Sequence, residues 1–453
     1  MSTELFNLFN GTSPAAWKQK IQVDLKGADY NETLLWRTDE GIVVKPFYTK
    51  EDCPNPANTV SEFPFNISQS IYVDDEKTAN YIAKNALEKG ANALEFICVQ
   101  PFDYQILLAH IDVKSTFIYL RFHFSDPVFI KKVASHINTD RCYLQIDIIN
   151  NLAQNGNWFK NLKEDHAALD AIVKHTHNAI GIDASLYQNA GASCVQQLAY
   201  ALAHANEYLH HFGIEHTSNF HFNFAIGGDY FFEIAKLRAF RLLWNALLKE
   251  YGATAQEAHL FVKPSTRNKT LYDYNVNMLR TTSECMSAIL GGATTVNNLA
   301  YDAIYHKKNE FGERIARNQL LILQQESYLA SANSIADGSY YIESITKQLA
   351  EKALIIFKDI EKAGGFLKQL KEGVIQRKIT ESAQKEADKF QTNERILLGS
   401  NKLPNTEDRM KNELDFYPFL KTRPVKTLIS PILKKRLAEG YEKDRLAKEG
   451  SKG

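Results

Sequence analysis

The chain carries no net charge: its 453 residues include 53 basic and 53 acidic side chains. Without a large field of one sign there is little to steer it to nucleic acid or to an anionic membrane, and neither is expected as a partner. Cysteine is scarce and scattered (Cys53, Cys98, Cys142, Cys194, Cys285), with no CxxC. Thioredoxin-like and zinc-ribbon arrangements are thereby excluded. Three of the five sit in or beside apolar runs, as reduced thiols of a reducing compartment do. No apolar run approaches the roughly eighteen residues of a membrane span, and the first thirty residues hold no signal-type apolar segment. A cytoplasmic globular protein is expected. There is no Walker A loop, GxSxG elbow, GxGxxG turn or HExxH helix. The thirteen histidines are densest at His175 with His177 and at His204, His210, His211 and His216. No carboxylate or third ligand accompanies them at metal-binding spacing, so they read as surface or capping groups, and no metal site is assigned.

What is present is clearest in NFHFNFAIGGDYFFEIAKLRAFRLLWNALLKE, residues 219–250. Phe220, Phe222, Phe224 and Ile226 alternate with His221, Asn223 and Ala225, which is a strand. Gly227 and Gly228 break it, and Asp229 can cap a following helix. On that helix Arg238, Arg241, Asn245 and Lys249 fall in one stripe, the expected water-facing edge. Glu233 and Lys236 lie off the stripe and three residues apart, so they can pair while pointing inward. They are candidates for a site or for a buried scaffold pair.

The unit recurs. Apolar or β-branched runs at 93–99, 116–124, 142–149, 178–184, 221–227, 259–264, 293–299 and 327–333 alternate with helical segments. Eight strands separated by helices predict a (β/α)8 TIM barrel, with an open doubly wound sheet as the competing arrangement. Before it, residues 1–64 read as an extended N-terminal arm whose Phe6, Leu8, Phe9, Trp17, Trp36 and Phe47 need a surface to cover them. The barrel is assigned to 65–400. Residues 401–453 read as a short, charged C-terminal tail with a solvated helix. Strand-end positions, where a barrel does its chemistry, show no paired carboxylates, Cys–His set or buried lysine. Bulky strand residues (Phe96, Phe117, Tyr119, Phe122, Tyr143, Phe222, Phe224) would fill the lumen if they point inward.

Three stretches carry a resemblance: FAIGGDYFFEIAKLRAFRLLW (224–244), YNVNMLRTTSECMSAILGGATTVNNLAYDAIYHKKNEFGERIARNQLLILQQES (274–327) and ADGSYYIESITKQLAEKA (336–353). They closely resemble the barrel of methylmalonyl-CoA mutase, and residues 17–49 resemble the arm with which its subunits embrace. The resemblance implies adenosylcobalamin chemistry on (R)-methylmalonyl-CoA and succinyl-CoA. Yet where catalytic members read TIRQYAGFS, this chain reads NISQSIYVD, with Ser70 at the tyrosine. Where they read SGYHMQEAGA, it reads DASLYQNAGA, with Ser185 and Leu186 at the Tyr-His pair. A leucine cannot polarise a carbonyl. The cobalt-ligating DxHxxG and a cobalamin-binding domain are missing from the sequence. The pattern is similar to the non-catalytic small subunit of heterodimeric members. That implies a catalytic large subunit as partner, adenosylcobalamin bound by that partner, and no catalytic, cofactor-binding or metal residue here. Glu233, Lys236, Arg238, Arg280, Arg314, Arg317, Glu326 and Tyr340-Tyr341 match the family's motifs; with Trp17 and Trp36 they are expected as scaffold or interface groups. An autonomous acyl-CoA mutase barrel served by a separate cobalamin protein is the alternative, and an acyl-CoA-binding module a third.

Overall fold

A computed structural model describes residues 11–53, 64–331, 335–420 and 425–450. Eight strands carry the architecture: β1 Asn66–Tyr72, β2 Ala93–Cys98, β3 Phe117–Phe122, β4 Cys142–Gln145, β5 Ile180–Asp183, β6 Phe220–Ile226, β7 His259–Pro264 and β8 Thr295–Asn297. Around the sheet the order is β4-β3-β2-β1-β8-β7-β6-β5, every pair parallel. The gap between β4 and β5 is bridged by Leu144 N–H to Asn178 O (2.9 Å) and Gly181 N–H to Ile146 O (3.3 Å). The result is a nearly closed (β/α)8 barrel, as expected.

One strand is not where the pattern put it. At 327–331 the chain forms a turn and a short 3₁₀ helix, Leu329–Ser331; 332–333 lie outside the described residues. The remaining strand is β1. Its outward row is Ile67, Gln69 and Ile71, and the central glutamine breaks the apolar alternation that marks a half-buried strand. Gln69 is buried because Arg317 donates to its Oε1 at 2.7 Å.

The outward side chains of β6 show what the apolar faces do. Phe222 and Phe224 pack on Phe240 of the helix Tyr230–Glu250 at centroid distances of 4.5 and 4.8 Å, and Phe222 meets Trp244 at 5.0 Å. Helix Tyr340–Lys362 then returns across the outer face of this helix. Arg238 and Arg241 are buried instead of water-facing, and only Lys249 of the predicted stripe is exposed. Arg238 pairs with Glu343 at 2.5 Å and with Asp337. Arg241 donates to the carbonyls of Gly292 (2.5 Å) and Gly291 (3.3 Å), capping the helix Val276–Leu290. The periodicity located a polar stripe correctly, but partners distant in sequence, Glu343 for Arg238 and the Gly291 and Gly292 carbonyls for Arg241, bury its first two members.

The described parts of both terminal segments reach the barrel. Helix Pro14–Asp24 buries none of its residues, but from Tyr30 the arm descends, burying Ile42 and Val44. Glu40 accepts from the first N–H groups of helix Cys194–Phe212, Cys194 at 2.7 Å and Val195 at 3.0 Å. The carboxylate fills the role of a cap at the positive end of that helix. At the other end, residues 425–438 form a strap over the C-terminal ends of the strands. Ile429 N–H reaches Gly156 O (3.2 Å), Ile432 N–H reaches Ala153 O (2.7 Å), Lys435 N–H reaches Asn189 O (3.0 Å) and Leu437 N–H reaches Arg267 O (2.7 Å). Those acceptors follow β4, β5 and β7. Ile429, Ile432, Arg436, Ala438, Glu439 and Glu442 are buried, so this part of the chain is not the solvated tail its charge suggested. Lysine stems and paired acids disguised a packed segment. No helix among the described residues is long and apolar enough to cross a membrane.

Candidate functional site

Side chains alternate across each strand, so the ladder fixes which of them enter the lumen. Ser70, Glu95, Tyr119 and Tyr143 lie side by side on β1 to β4. The lower lumen is aromatic. Tyr119 packs against Phe261 at 4.5 Å and Tyr143 at 5.0 Å, and Tyr143 stacks on His259 at 4.0 Å. The Tyr119 hydroxyl meets Thr295 Oγ1 (2.6 Å) and His259 Nε2 (2.8 Å). Burial holds His259 far below the ordinary imidazole range, and lowers His221 to about 3, so both are neutral. Of the bulky set, Phe117, Tyr119 and Tyr143 point inward; Phe96, Phe122, Phe222 and Phe224 pack on the helices.

Above this floor, at the C-terminal end where barrel chemistry occurs, lies a charged layer. Arg121 Nε donates to Glu95 Oε1 (3.1 Å) and its Nη1 to Asp183 Oδ2 (2.6 Å). Lys263 pairs with Glu95 and donates to Ser70 Oγ at 3.0 Å. Ser70 Oγ lies 2.5 Å from Glu95 Oε2 and 3.1 Å from Asn297 Oδ1. Two cations and two carboxylates thus close on one another. Burial would raise Glu95, but Lys263 and Arg121 outweigh it and hold its carboxyl down at about 2. Asp183 is likewise held well below the carboxylate range, burial being overcome by Arg121. Neither carboxylate can exchange protons near neutral pH, which a general acid or base must do. Lys263 is lowered to about 8 by burial, with Glu95 opposing, and its ammonium is already engaged. From the strap, Lys434 stands within electrostatic reach of Asp183 and Arg121.

The positions expected to have lost catalytic groups are placed as follows. Ser70 belongs to the ion layer. Ser185 Oγ meets Asp183 Oδ1 at 2.5 Å. Leu186 is fully buried in the apolar core and presents nothing to the lumen. Glu233 and Lys236 pair in the core behind β6. Glu233 Oε1 accepts from Gly227 N–H (2.8 Å) and Gln188 Nε2 (2.9 Å), while Lys236 Nζ donates to Gln197 Oε1 (2.8 Å), Ala225 O (2.8 Å) and Gln188 Oε1 (3.0 Å). Arg280 joins Thr270 Oγ1 (2.9 Å) to Leu398 O (2.6 Å). Trp17 stacks on Phe47 at 4.2 Å, Trp36 meets Phe232 edge-on at 5.8 Å, and both remain about half exposed. Arg314 and Glu326 are on the surface.

Two features went unread. Glu95, Arg121 and Lys263 are each a single charge within an otherwise largely apolar strand, the signal of a lumen-facing group. His204, expected at the surface without a carboxylate, is fully buried: Nε2 meets Asp147 Oδ1 at 2.9 Å and Nδ1 meets the Tyr187 hydroxyl at 3.0 Å. Asp147 comes from the end of β4, a neighbour that spacing along one helix cannot reveal. His211 likewise meets Asp170 at 2.6 Å.

A sequence profile described as Methylmalonyl-CoA mutase matches residues 129–427. The methylmalonyl-CoA mutase small subunit of Porphyromonas gingivalis is 32% identical over 489 residues, spanning 99% of this chain and 79% of the relative. The small subunit of Streptomyces virginiae is 36% identical over 240 residues, 51% of this chain and 39% of the relative. The large subunit of Porphyromonas gingivalis is 32% identical over 234 residues, 50% of this chain and 33% of the relative. The likeness runs through the β/α units that build this barrel, and for one relative it runs nearly end to end. The chain belongs to the methylmalonyl-CoA mutase family.

Proposed function

We propose that this chain is the non-catalytic small subunit of a heterodimeric, adenosylcobalamin-dependent methylmalonyl-CoA mutase, stabilising a catalytic large subunit that holds the cofactor. The observation that carries the reading is the self-neutralised layer of Ser70, Glu95, Arg121, Asp183 and Lys263, seated where a substrate would react. Its carboxylates are held far from neutral pH, its serine hydroxyl is engaged, and Leu186 is turned into the core. An acyl thioester entering from above would meet the strap, then a closed ring of charges, then an aromatic floor. Of the lumen histidines, His221 and His259 lie in that floor, and His123 stands at the mouth within electrostatic reach of Arg121 and Lys434. Residues 1–64 serve as the arm that grips the partner. Support for this comes from helix Pro14–Asp24, none of whose residues is buried, and from the exposed faces of Trp17 and Trp36. Glu233, Lys236, Arg238, Arg280 and Arg317 act as scaffold. Glu326, on the surface, is left as an interface group.

The test is turnover of methylmalonyl-CoA with added adenosylcobalamin. The chain alone is expected to give none. Co-expressed with a large subunit it is expected to give a stable, active complex in which Ser70→Ala leaves kcat and KM unchanged. Turnover by this chain with a stand-alone cobalamin protein and no large subunit would overturn the proposal.

A further inference from the structure

The chain carries an Asn-Gly step, Asn155–Gly156, at a point where the strap is tied to the barrel. An asparagine amide is open to attack by the next backbone nitrogen, and glycine, with no Cβ, hinders that attack least. A bond from Gly156 N to Asn155 Cγ forms as the bond from Cγ to Nδ2 breaks, and ammonia leaves with the proton of Gly156 N. Water then opens the cyclic imide. Cleavage between Gly156 N and Cγ leaves aspartate. Cleavage between Gly156 N and the main-chain carbonyl carbon leaves isoaspartate, whose backbone runs through Cβ and Cγ and is longer by a carbon. No reactant but water is needed, and Asn155 is exposed to it.

The fold holds this step closed. Asn155 is the last residue of helix Ile148–Asn155, and Gly156 follows it with φ +76°. The attacking nitrogen is engaged, Gly156 N–H donating to Leu152 O at 2.8 Å. So is the leaving amide, Asn155 Nδ2 donating to Asn151 Oδ1 at 2.7 Å. Bringing Gly156 N onto Cγ requires the peptide plane between the two residues to turn, which breaks the first of these bonds, and the strap blocks that turn. Gly156 O accepts from Leu428 N–H (2.9 Å) and Ile429 N–H (3.2 Å). Asn157 adds two ties, its Oδ1 accepting from Leu428 N–H (3.1 Å) and its Nδ2 donating to Lys426 O (3.3 Å). Ile429 O and Thr427 Cβ lie so near that a Cβ added to Gly156 would stand 2.7 Å from each. Gly156 is thus clamped between its helix and the strap, and it leaves that position only when the strap does.

We infer that Asn155 is a modification site gated by the strap: deamidation follows strap opening, and isoaspartate then keeps the strap off. The added backbone carbon displaces Gly156 O from the two strap N–H groups, and the new carboxylate stands at the negative end of its helix. Opening thereby becomes irreversible, whether or not the chain is catalytic. The full chain is incubated at mildly alkaline pH, and conversion of Asn155 is followed by peptide mass and by enzymatic isoaspartyl methylation. The folded chain is expected to convert at least about tenfold more slowly than the same chain in urea, since the reaction waits on local opening. Ile429→Ala removes a buried strap side chain and is expected to speed conversion at least about threefold while the fluorescence of Trp244 stays that of the folded chain. Should that variant unfold, the wild-type chain decides. Its isoaspartyl form, separated by ion exchange, is expected to lose protection against hydrogen exchange at Leu428 and Ile429. The inference falls if the folded chain converts at the rate of the unfolded one, or if a folded Ile429→Ala leaves the rate unchanged. It also falls if the isoaspartyl form keeps full protection at Leu428 and Ile429.

Discussion

Glu95→Gln removes one of the two carboxylates that compensate Lys263 and Arg121 at the barrel mouth, and the cost follows from the proton affinities there. Glu95 falls from 4.5 to about 2. At about 1.4 kcal/mol for each tenfold change in proton affinity, its charge contributes about 3 kcal/mol, present above pH 4.5 and lost as pH falls through 2. Lys263 falls from 10.5 to about 8. A lowered ammonium is a cost, about 3 kcal/mol below pH 8 and gone above 10.5, reduced further because 29% of its side chain still reaches water. The pair therefore nets close to zero, while either charge alone is expensive, as buried ion pairs behave. Glu95→Gln is expected to cost about 3–5 kcal/mol, because Lys263 then loses its paired carboxylate and Arg121 keeps Asp183 alone. Adding Lys263→Met should recover about 2–3 kcal/mol of that loss, a coupling measurable in a double-mutant cycle. The assay is equilibrium urea unfolding read by fluorescence of the buried Trp244 and by circular dichroism, with coincident transitions required. Two substitutions that add to within about 0.5 kcal/mol would refute the closed network.

Three further outcomes are expected. Glu40→Ala leaves the first N–H groups of helix Cys194–Phe212 without their acceptor; it should cost about 1–2 kcal/mol and speed trypsin cleavage at Arg37 and Lys45, and an unchanged digest would count against the arm being held there. Asp229 is raised to about 6, first by burial and then by Glu233. The folded chain then binds the extra proton between pH 3.8 and 6, so stability falls as pH rises through that window, and Asp229→Asn should stabilise by about 2–3 kcal/mol at pH 7; a loss there would contradict the assignment. Gly156 sits at φ +76° with an added Cβ 2.7 Å from Ile429 O and Thr427 Cβ. Gly156→Ala should cost about 1–3 kcal/mol and raise hydrogen exchange at Leu428 and Ile429, whereas unaltered exchange would mean the strap is anchored elsewhere.

Residues 219–250 separate what is local from what is not. Alternation of phenylalanines, two glycines and a helical period were enough for one strand, one turn and one helix, and their recurrence for a barrel. Ser70, Ser185 and Leu186 could be singled out for the same reason, since each is read within a short motif. Tertiary structure decided everything that depends on partners distant along the chain. Arg238 reads as surface until Glu343 of helix Tyr340–Lys362 meets it, and Arg241 until the carbonyls of Gly291 and Gly292 do. His204 lacked a carboxylate until the end of β4 supplied Asp147. The charge layer draws on β1, β2, β3, β5 and β7, its Glu95–Lys263 contact spanning 168 residues. A period of two reports which side of a strand a residue occupies, and neighbouring charges reveal pairs on one helix. Neither reports which strand ends a closed parallel barrel will bring together, because ring closure sets those distances, and only after closure can opposite charges choose one another.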